Sequence, residues 1–220
     1  MKKNVLRAAV VAALAMLIAA VNLSASNLIV NGSFEEGTWL GNYSWYRVPP
    51  GSTDMTGWTI GGAGIDWHNS AEMVPEDGQY VVDLNLDGGG PSDTGTISQS
   101  FPTTPGVSYV LTFYLANPYG HSPNAPLLNV NLNGSDYAFN PQAWSGWANA
   151  WVKETITFSA NASSTSVTFS SLDGSGYWGP VLDNVSATPA VPGVPEPGSF
   201  TLMASGFAGL LAIVRRKLIA

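Results

Sequence analysis

Eight tryptophan residues stand out in this chain of 220 residues, because a tryptophan at a protein surface has a specific chemical use. Its indole ring packs a flat apolar face against the C–H face of a sugar ring, while its N–H donates a hydrogen bond. Trp39 and Trp45 fall in the loop-like stretch WLGNYSWY, and Trp144 and Trp147 fall in FNPQAWSGWANAW. We expect these four rings to bind carbohydrate.

The alternative is that tryptophan rings fill or cap the core. Trp58 and Trp67 lie beside strand-like alternation of apolar and polar residues, so we expect these two to be buried. The same alternative stays open for the other four rings.

The remaining reactive side chains support catalysis poorly. The chain has no cysteine, two histidines, and no nucleophile-elbow, zinc-protease or phosphate-loop motif. Four carboxylates near His68 could supply the acid–base pair of a glycosidase: Asp66, Glu72, Glu76 and Asp77. We predict that the protein is not an enzyme, with a glycosidase or lyase as an alternative.

Charge is unevenly distributed along the chain. Between Asn27 and Gly198 only Arg47 and Lys153 oppose all fifteen acids, which gives this stretch a formal charge of −13. Such a surface disfavours nucleic acid, whose phosphates require a basic face. Basic residues flank apolar segments on the cytoplasmic side of a membrane, so we expect the acidic middle to be outside.

The first 26 residues have the composition of a secretory signal peptide. Three early cations precede an apolar run from Ala8 to Val21, and Ser24 and Ser26 have the small-residue spacing that signal peptidase accepts. We expect cleavage near Ser26. The alternative is an uncleaved membrane anchor.

A second apolar segment ends the chain. The seventeen residues of 198–214 would form a helix of roughly 25 Å, just short of a typical hydrocarbon core. Arg215 and Arg216 follow it. We predict that residues 198–220 are a transmembrane helix with a basic tail.

Pro195, Glu196 and Pro197 stand directly before that helix, and this order of parts resembles the PEP-CTERM sorting signal. The resemblance implies export, transient retention in the inner membrane and processing near this motif by an exosortase. It also implies a bacterium with an outer membrane, and a final location at the cell surface or in the extracellular matrix. The Pro-rich linker, residues 189–197, would keep the motif open to the protease.

The domain between these signals, residues 27–188, has the texture of an all-β protein. Short alternating or β-branched runs are separated by turn clusters rich in Gly, Pro and Asp, which favours a sandwich or barrel. Asn133-Gly134 predicts a tight hairpin turn. The predicted strands are Asn27–Val30, Gly57–Ile60, Gln79–Leu84, Gly95–Phe101, Val107–Ala116, Leu127–Leu132, Trp151–Ser159, Thr165–Leu172 and Val181–Ala187.

Three stretches of the domain resemble the bacterial choice-of-anchor C proteins: NLIVNGSFEEG, GTISQSFPTTPGVSYVLTFYLA and LDNVSA. Those proteins are related to a plant cell-wall domain of unknown function and to galactose-binding-like carbohydrate-binding modules. The resemblance implies a jelly-roll β-sandwich of two antiparallel sheets. It leaves GNYSWYRVPPGSTDM as a variable surface loop.

The same resemblance implies a structural calcium ion where the first and last strands meet. It assigns Glu35, in NGSFEEG, and Asp183, in LDNVSA, as ligands, with Glu36 as a spare carboxylate. Oxygen ligands from several parts of a chain suit this hard cation. The alternative is that the two glutamates are solvated and that Asp183 caps a backbone turn.

The sequence therefore predicts an exported, exosortase-sorted surface or matrix protein that binds carbohydrate or exopolysaccharide without catalysis. Its partners would be signal peptidase, the exosortase, polysaccharide and, transiently, the inner membrane. A structural biofilm-matrix protein with no specific ligand is the first alternative.

Overall fold

The computed structural model of the protein describes residues 26–86, 93–116, 128–140, 151–172 and 178–190. Over these ranges the chain forms two antiparallel sheets packed face to face, which confirms the predicted all-β jelly-roll sandwich. These ranges contain no helix that is long and apolar enough to cross a membrane.

Eleven strands lie within the described ranges. They are β1 (Trp45–Val48), β2 (Thr59–Gly62), β3 (Ile65–Asn69), β4 (Tyr80–Asp83), β5 (Gly95–Pro102), β6 (Ser108–Ala116), β7 (Leu128–Leu132), β8 (Ser135–Phe139), β9 (Val152–Ser159), β10 (Ser164–Ser171) and β11 (Val181–Pro189). The six-stranded sheet has the order β1-β3-β4-β11-β6-β9, and the five-stranded sheet has the order β2-β5-β10-β7-β8. The last strand therefore lies in the middle of the larger sheet.

The core lies between the two sheets. Strands β5, β6 and β10 alternate buried and more exposed residues, as expected when one face packs on a core and the other meets solvent. Trp58 and Trp67 are 4% and 1% exposed, so the prediction that these two rings are buried is confirmed. A smaller apolar cluster forms apart from this core: Met73, Val81, Ala116 and Val181.

The beginning and end of the domain meet at a β-bulge. In β11 the register shifts between Asp183 and Ser186, and Asn184 has a φ of 46°. The bulge frees the N–H of Val185 to donate to the carbonyl oxygen of Gly32, at 2.8 Å. A Cβ on Gly32 would lie 1.9 Å from the Val185 carbonyl oxygen, so only glycine permits this approach.

The predicted strand at Asn27–Val30 is wrong. The Asn27 Oδ1 atom accepts hydrogen bonds from the N–H of Ile29, at 3.0 Å, and from the N–H of Ala187, at 2.9 Å. The first of these bonds closes a turn that competes with an extended chain. The segment consequently lies beside β11 as a turn and not as a strand.

Strands β1 and β3 were not predicted from the sequence. Strand β1 lies within GNYSWYRVPPGSTDM, the stretch predicted to be a surface loop, and pairs with β3 from Trp45 to Val48. Four of the five residues of β3 are buried, so no alternation marks it in the sequence. The predicted hairpin is confirmed, because Leu132 pairs with Ser135 across Asn133-Gly134.

Three predicted segments fall largely outside the described residues. These are the signal peptide, the linker beyond Ala190 and the transmembrane helix. They stay predictions.

Replacing Gly32 by alanine should destabilise the domain by roughly 2–3 kcal/mol or more, because the added Cβ would overpack against the Val185 carbonyl group. Urea denaturation measures this loss. Gly106 is a suitable control, since it has a φ of 81° and nothing within 4 Å of an added Cβ. Gly106→Ala should cost only the backbone penalty of about 1–2 kcal/mol, and equal losses in the two variants would contradict the constraint at Gly32.

Candidate functional site

The strand registers place two rows of side chains across the outer face of the six-stranded sheet. Side chains of residues that pair directly in neighbouring strands lie on the same face of the sheet. The first row contains Arg47, Asp66, Asp83, Val181 and Ala116. The second row contains Trp45, His68 and Val81 on β1, β3 and β4, and Asp183, Tyr114 and Lys153 on β11, β6 and β9.

Two carboxylates and an imidazole are buried within these rows. Asp66 and Asp83 face each other across β3 and β4, and they are 2% and 1% exposed. His68, two residues along β3, is 3% exposed. Asp83 Oδ1 accepts hydrogen bonds from the N–H groups of Asn85, at 2.8 Å, and Gly179, at 2.7 Å. Within the described residues, Asp83 Oδ2 and His68 Nε2 have no hydrogen-bond partner.

Burial controls the protonation of this cluster. It raises the pKa of Asp83 from the ordinary 3.8 to about 7, because a buried carboxylate loses its hydration. His68 opposes this rise in the pKa, and the nearby Asp66 adds to it. Burial also raises the pKa of Asp183 to about 7, although the hydrogen bonds that its carboxyl group accepts from backbone N–H groups lower it. Two carboxyl groups on this face, those of Asp83 and Asp183, therefore titrate near neutral pH.

Four side chains lie around this cluster, and we name them the rim: Trp45, Arg47, Glu72 and Trp178. The Arg47 side chain is 44% exposed, and its Nε lies 3.5 Å from Asp66 Oδ1. Its Cζ lies 5.8 Å from the centroid of the partly exposed Trp45 ring, a cation–π distance. The guanidinium group is thus held between a buried acid and an indole while still meeting solvent.

The other half of the rim is built around His68. Glu72 Oε2 accepts a hydrogen bond from the Ser44 hydroxyl, at 2.6 Å, and lies 3.4 Å from His68 Nδ1. The hydrogen bond with His68 lowers the pKa of Glu72, so this carboxyl is ionised. The ring centroid of Trp178 lies 5.4 Å from that of His68. The rim therefore combines aromatic surface with one fixed cation and one fixed anion.

The far edge of the same face has a similar pairing. Lys153 on β9 is exposed, and its Nζ lies 5.9 Å from the centroid of the Tyr114 ring. Arg47 and Lys153 are the only cations between Asn27 and Gly198. The structure thus brings both to one face, at its two opposite edges.

The predicted calcium ligands, Asp183 near the start of β11 and Glu35 in the segment before β1, both contact the loop before β4. Asp183 Oδ2 accepts hydrogen bonds from the N–H groups of Glu76 and Asp77, at 2.7 and 3.0 Å. Glu35 Oε1 accepts hydrogen bonds from the N–H groups of Gln79 and Tyr80, at 2.7 and 2.9 Å. The two carboxylates therefore hold the same loop, residues 76–80.

In the part of the chain that the structure describes, no group of three or more acidic or histidine side chains is placed to hold a metal ion. Calcium binding by Glu35 and Asp183 stays a prediction. Their observed hydrogen bonds connect the start and the end of the domain to the loop before β4.

Of the four predicted carbohydrate-binding tryptophans, the two that the structure describes, Trp39 and Trp45, lie on different faces of the six-stranded sheet. Trp45 belongs to the rim, whereas Trp39 packs against the inner face of the sheet, with its ring centroid 5.3 Å from that of Trp67. The Trp39 Nε1–H donates to the Gly41 carbonyl oxygen at 2.9 Å. Trp144 and Trp147 lie outside the described residues, as do the predicted sorting residues Pro195, Glu196, Pro197, Arg215 and Arg216.

The rim residues Arg47 and Trp178 were not predicted from the sequence, nor was the position of Lys153 on the same face. The rarity of cations in the domain is visible in the sequence and marks Arg47 and Lys153. Their common face is visible only in the strand registers, because each lies on a different edge strand. No sequence signal connects Trp178 with His68.

The buried carboxyl of Asp83 should make the domain less stable as the pH rises. The folded form keeps this proton up to about pH 7, while the unfolded chain releases it near 3.8. The free energy of unfolding therefore falls across that window. We expect Asp83→Asn to remove a decrease of roughly 2–3 kcal/mol between pH 5 and pH 8.

Urea denaturation across this pH range measures the difference. Asp136→Asn is the control, because hydrogen bonds from Asn129 and Asn131 lower the pKa of that carboxyl and move its titration below the window. Parallel pH profiles for the wild type and Asp83→Asn would contradict a buried proton at Asp83.

Comparison with known structures finds carbohydrate-binding modules among similar folds. The module TmCBM61, solved with beta-1,4-galactotriose, has 16% identity and a TM-score of 0.46, and the match covers 75% of this chain and 99% of that one. A family 35 module from Clostridium thermocellum has 18% identity and a TM-score of 0.42, covering 66% and 99% of the two chains. The CBM22-1 xylan-binding domain from Paenibacillus barcinonensis Xyn10C has 18% identity and a TM-score of 0.41, covering 75% and 95%.

A search of curated proteins finds no match. Residues 193–217 match the PEP-CTERM protein-sorting motif, which confirms the resemblance seen in the tail. Residues 27–188 match the family described as a protein of unknown function, DUF642. Since this match extends over most of the chain, the protein belongs to the DUF642 family.

Proposed function

We propose that this protein binds carbohydrate through the rim, without catalysis, at the surface of the cell that exports it. One observation carries the proposal: Trp45, Arg47, Glu72 and Trp178 bring aromatic surface, a cation and an anion together around His68. Sugar rings present C–H faces to indoles and hydroxyl groups to charged donors and acceptors. The rim offers both kinds of contact side by side.

The charged groups of the rim are held before any ligand arrives. Arg47 is fixed between Asp66 and the Trp45 ring, and Glu72 is fixed by the Ser44 hydroxyl. Fixed side chains lose less conformational entropy on binding, which favours recognition of a weakly binding ligand such as a sugar.

The burial of the acids beneath the rim favours binding over hydrolysis. A glycosidase needs two carboxyl groups that reach the scissile bond from opposite sides. Asp66 and Asp83 are the facing pair here, and their exposures of 2% and 1% keep a sugar in solvent from reaching them. This argues against a glycosidase that uses Asp66 and Asp83 as its catalytic pair.

The C-terminal sorting motif determines where the protein would bind carbohydrate. The tail motif marks the chain for export and transient anchoring in the membrane. We propose that an exosortase then processes the tail and that the domain reaches the cell surface or the biofilm matrix, where exopolysaccharide is its ligand. A matrix protein with no specific ligand remains the rival, and the rim variants below separate the two.

Arg47→Ala should weaken binding of the producer's own exopolysaccharide at least roughly 10-fold, because a fixed charge-assisted hydrogen bond contributes about 1.5–3 kcal/mol. Trp45→Ala should weaken it similarly. Affinity electrophoresis or calorimetry measures this change. Lys153→Ala is the matched control, since it removes the same charge from above a ring at the other edge of the sheet. Equal losses in Arg47→Ala and Lys153→Ala would contradict a site at the rim, and no binding by the wild type would favour the ligand-free matrix protein.

Changing Pro195, Glu196 and Pro197 to alanine should leave the protein at full retained length in the membrane. An exosortase that recognises this motif could no longer process the chain. Immunoblots of membrane and released fractions measure the outcome. Release of the shortened protein at the normal rate would exclude exosortase sorting through this motif.

A further inference from the structure

A separate cleft opens at the other edge of the sandwich. It lies between β8, the last strand of the five-stranded sheet, and β9, the last strand of the six-stranded sheet. Its volume is about 200 Å³. Its polar and aromatic lining consists of Asn133, Ser135, Tyr137, Phe158, Ser159 and Asn161.

Two aromatic rings, those of Phe158 and Tyr137, line part of this cleft. Phe158 stacks on Tyr109, with centroids 5.7 Å apart and an angle of 23° between the rings, and it meets Phe101 edge-on at 6.4 Å. Tyr137 pairs with Val130 in register and packs against the main core. Both lining rings remain partly exposed. Each ring is therefore fixed from behind by the core, and part of its remaining surface lines the cleft.

The polar side chains around these rings are uncharged, and most of them make no hydrogen bond to another described side chain. Among the described residues, the hydroxyl groups of Tyr137 and Ser135 and the amide of Asn161 have no side-chain hydrogen-bond partner. The Asn133 side chain is held in place, because its Oδ1 accepts the N–H of Ser166 at 2.9 Å. None of the lining side chains is charged. The described lining thus offers neutral hydrogen-bonding groups to a ligand, and it offers no charged side chain that could pair with an ionic ligand.

Charge and size then select the ligand. The domain has fourteen acids and two cations between Asn27 and Thr188, a formal charge of −12, which repels an anionic sugar that finds no local cation. The volume lies below the roughly 300–1,000 Å³ of sites for drug-sized ligands, so it suits a single ring. We propose that this cleft binds one uncharged hexose ring, stacked on Phe158 or Tyr137 and hydrogen-bonded by Asn161 and Ser135.

This site is distinct from the rim. Phe158 points to the inner side of β9 and Lys153 to its outer side, since their positions in the strand differ by five and side chains alternate between the two faces. The rim residues Trp45 and Arg47 lie on β1, at the opposite end of the six-stranded sheet from β9. The inference shares its ligand class with the proposed function and adds a second contact, through which one domain could bridge two polysaccharide chains.

Titration of the full exported chain with D-glucose, D-galactose and D-mannose tests the cleft, in a detergent without a sugar head group. We expect the backbone amide NMR signals of Ser135, Tyr137 and Asn161 to shift and saturate with at least one of these sugars. D-galacturonate, a singly charged analogue, should bind more weakly. Asn161→Ala should weaken binding by roughly 2- to 10-fold, the effect of losing one hydrogen bond.

Asn140→Ala is the matched control, because Asn140 is an exposed amide just beyond β8 that does not line the cleft. The cleft shifts should also survive Arg47→Ala, so failure of the rim proposal would leave them intact. The inference is overturned if no sugar shifts the cleft signals, if Asn161→Ala and Asn140→Ala behave alike, or if D-galacturonate binds as tightly as the neutral sugars. Rim binding measured in the same samples shows whether the proposed function stands when the cleft does not bind.

Discussion

The contact between Gly32 and Val185 is the constraint on which the rest of this sandwich depends. An added Cβ at Gly32 would meet the Val185 carbonyl oxygen at 1.9 Å, and the Val185 N–H reaches the Gly32 carbonyl oxygen at 2.8 Å. The bulge at Asn184 makes this possible by turning one peptide group of β11 out of the ladder. Strand β11 occupies the middle of the six-stranded sheet, so its position determines where the neighbouring strands β4 and β6 lie.

The contact between Gly32 and Val185 also helps to position the loop that lies over the outer face of the six-stranded sheet. Asp183, just before the bulge, and Glu35, just after Gly32, together bind four N–H groups of residues 76–80. Carboxylates bind backbone N–H groups more strongly than neutral acceptors do. The loop before β4 is thereby fixed over a face that contains buried acids. Burial of such acids is unfavourable unless they are hydrogen-bonded or neutral, and the pKa values of about 7 for Asp83 and Asp183 reflect this cost.

The distribution of charge connects stability with surface chemistry. An acidic domain of this kind repels itself and repels anionic polymers, so its two cations have a large local effect. Both lie over aromatic rings on the outer face, at its two edges. Among the described residues, none of the side chains that line the cleft between β8 and β9 is charged. The molecule therefore presents one surface with charged hydrogen-bonding groups and one with neutral hydrogen-bonding groups.

Local signals were readable from the sequence by itself. The sorting tail is a linear motif, and the Asn133-Gly134 hairpin depends on the φ preferences of two residues. Most strands show an alternation of apolar and polar residues. The all-β class follows from these patterns. Strands β1 and β3 could not be predicted in this way, because β1 is a short edge strand and β3 is buried on both faces.

Only the tertiary structure decided which side chains meet. It put Trp45 and Trp39 on opposite faces of one sheet, and it paired Asp66 with Asp83 across two strands. The physical reason is that a shift of one residue in register moves a side chain to the other face of a sheet, and long-range packing selects that register.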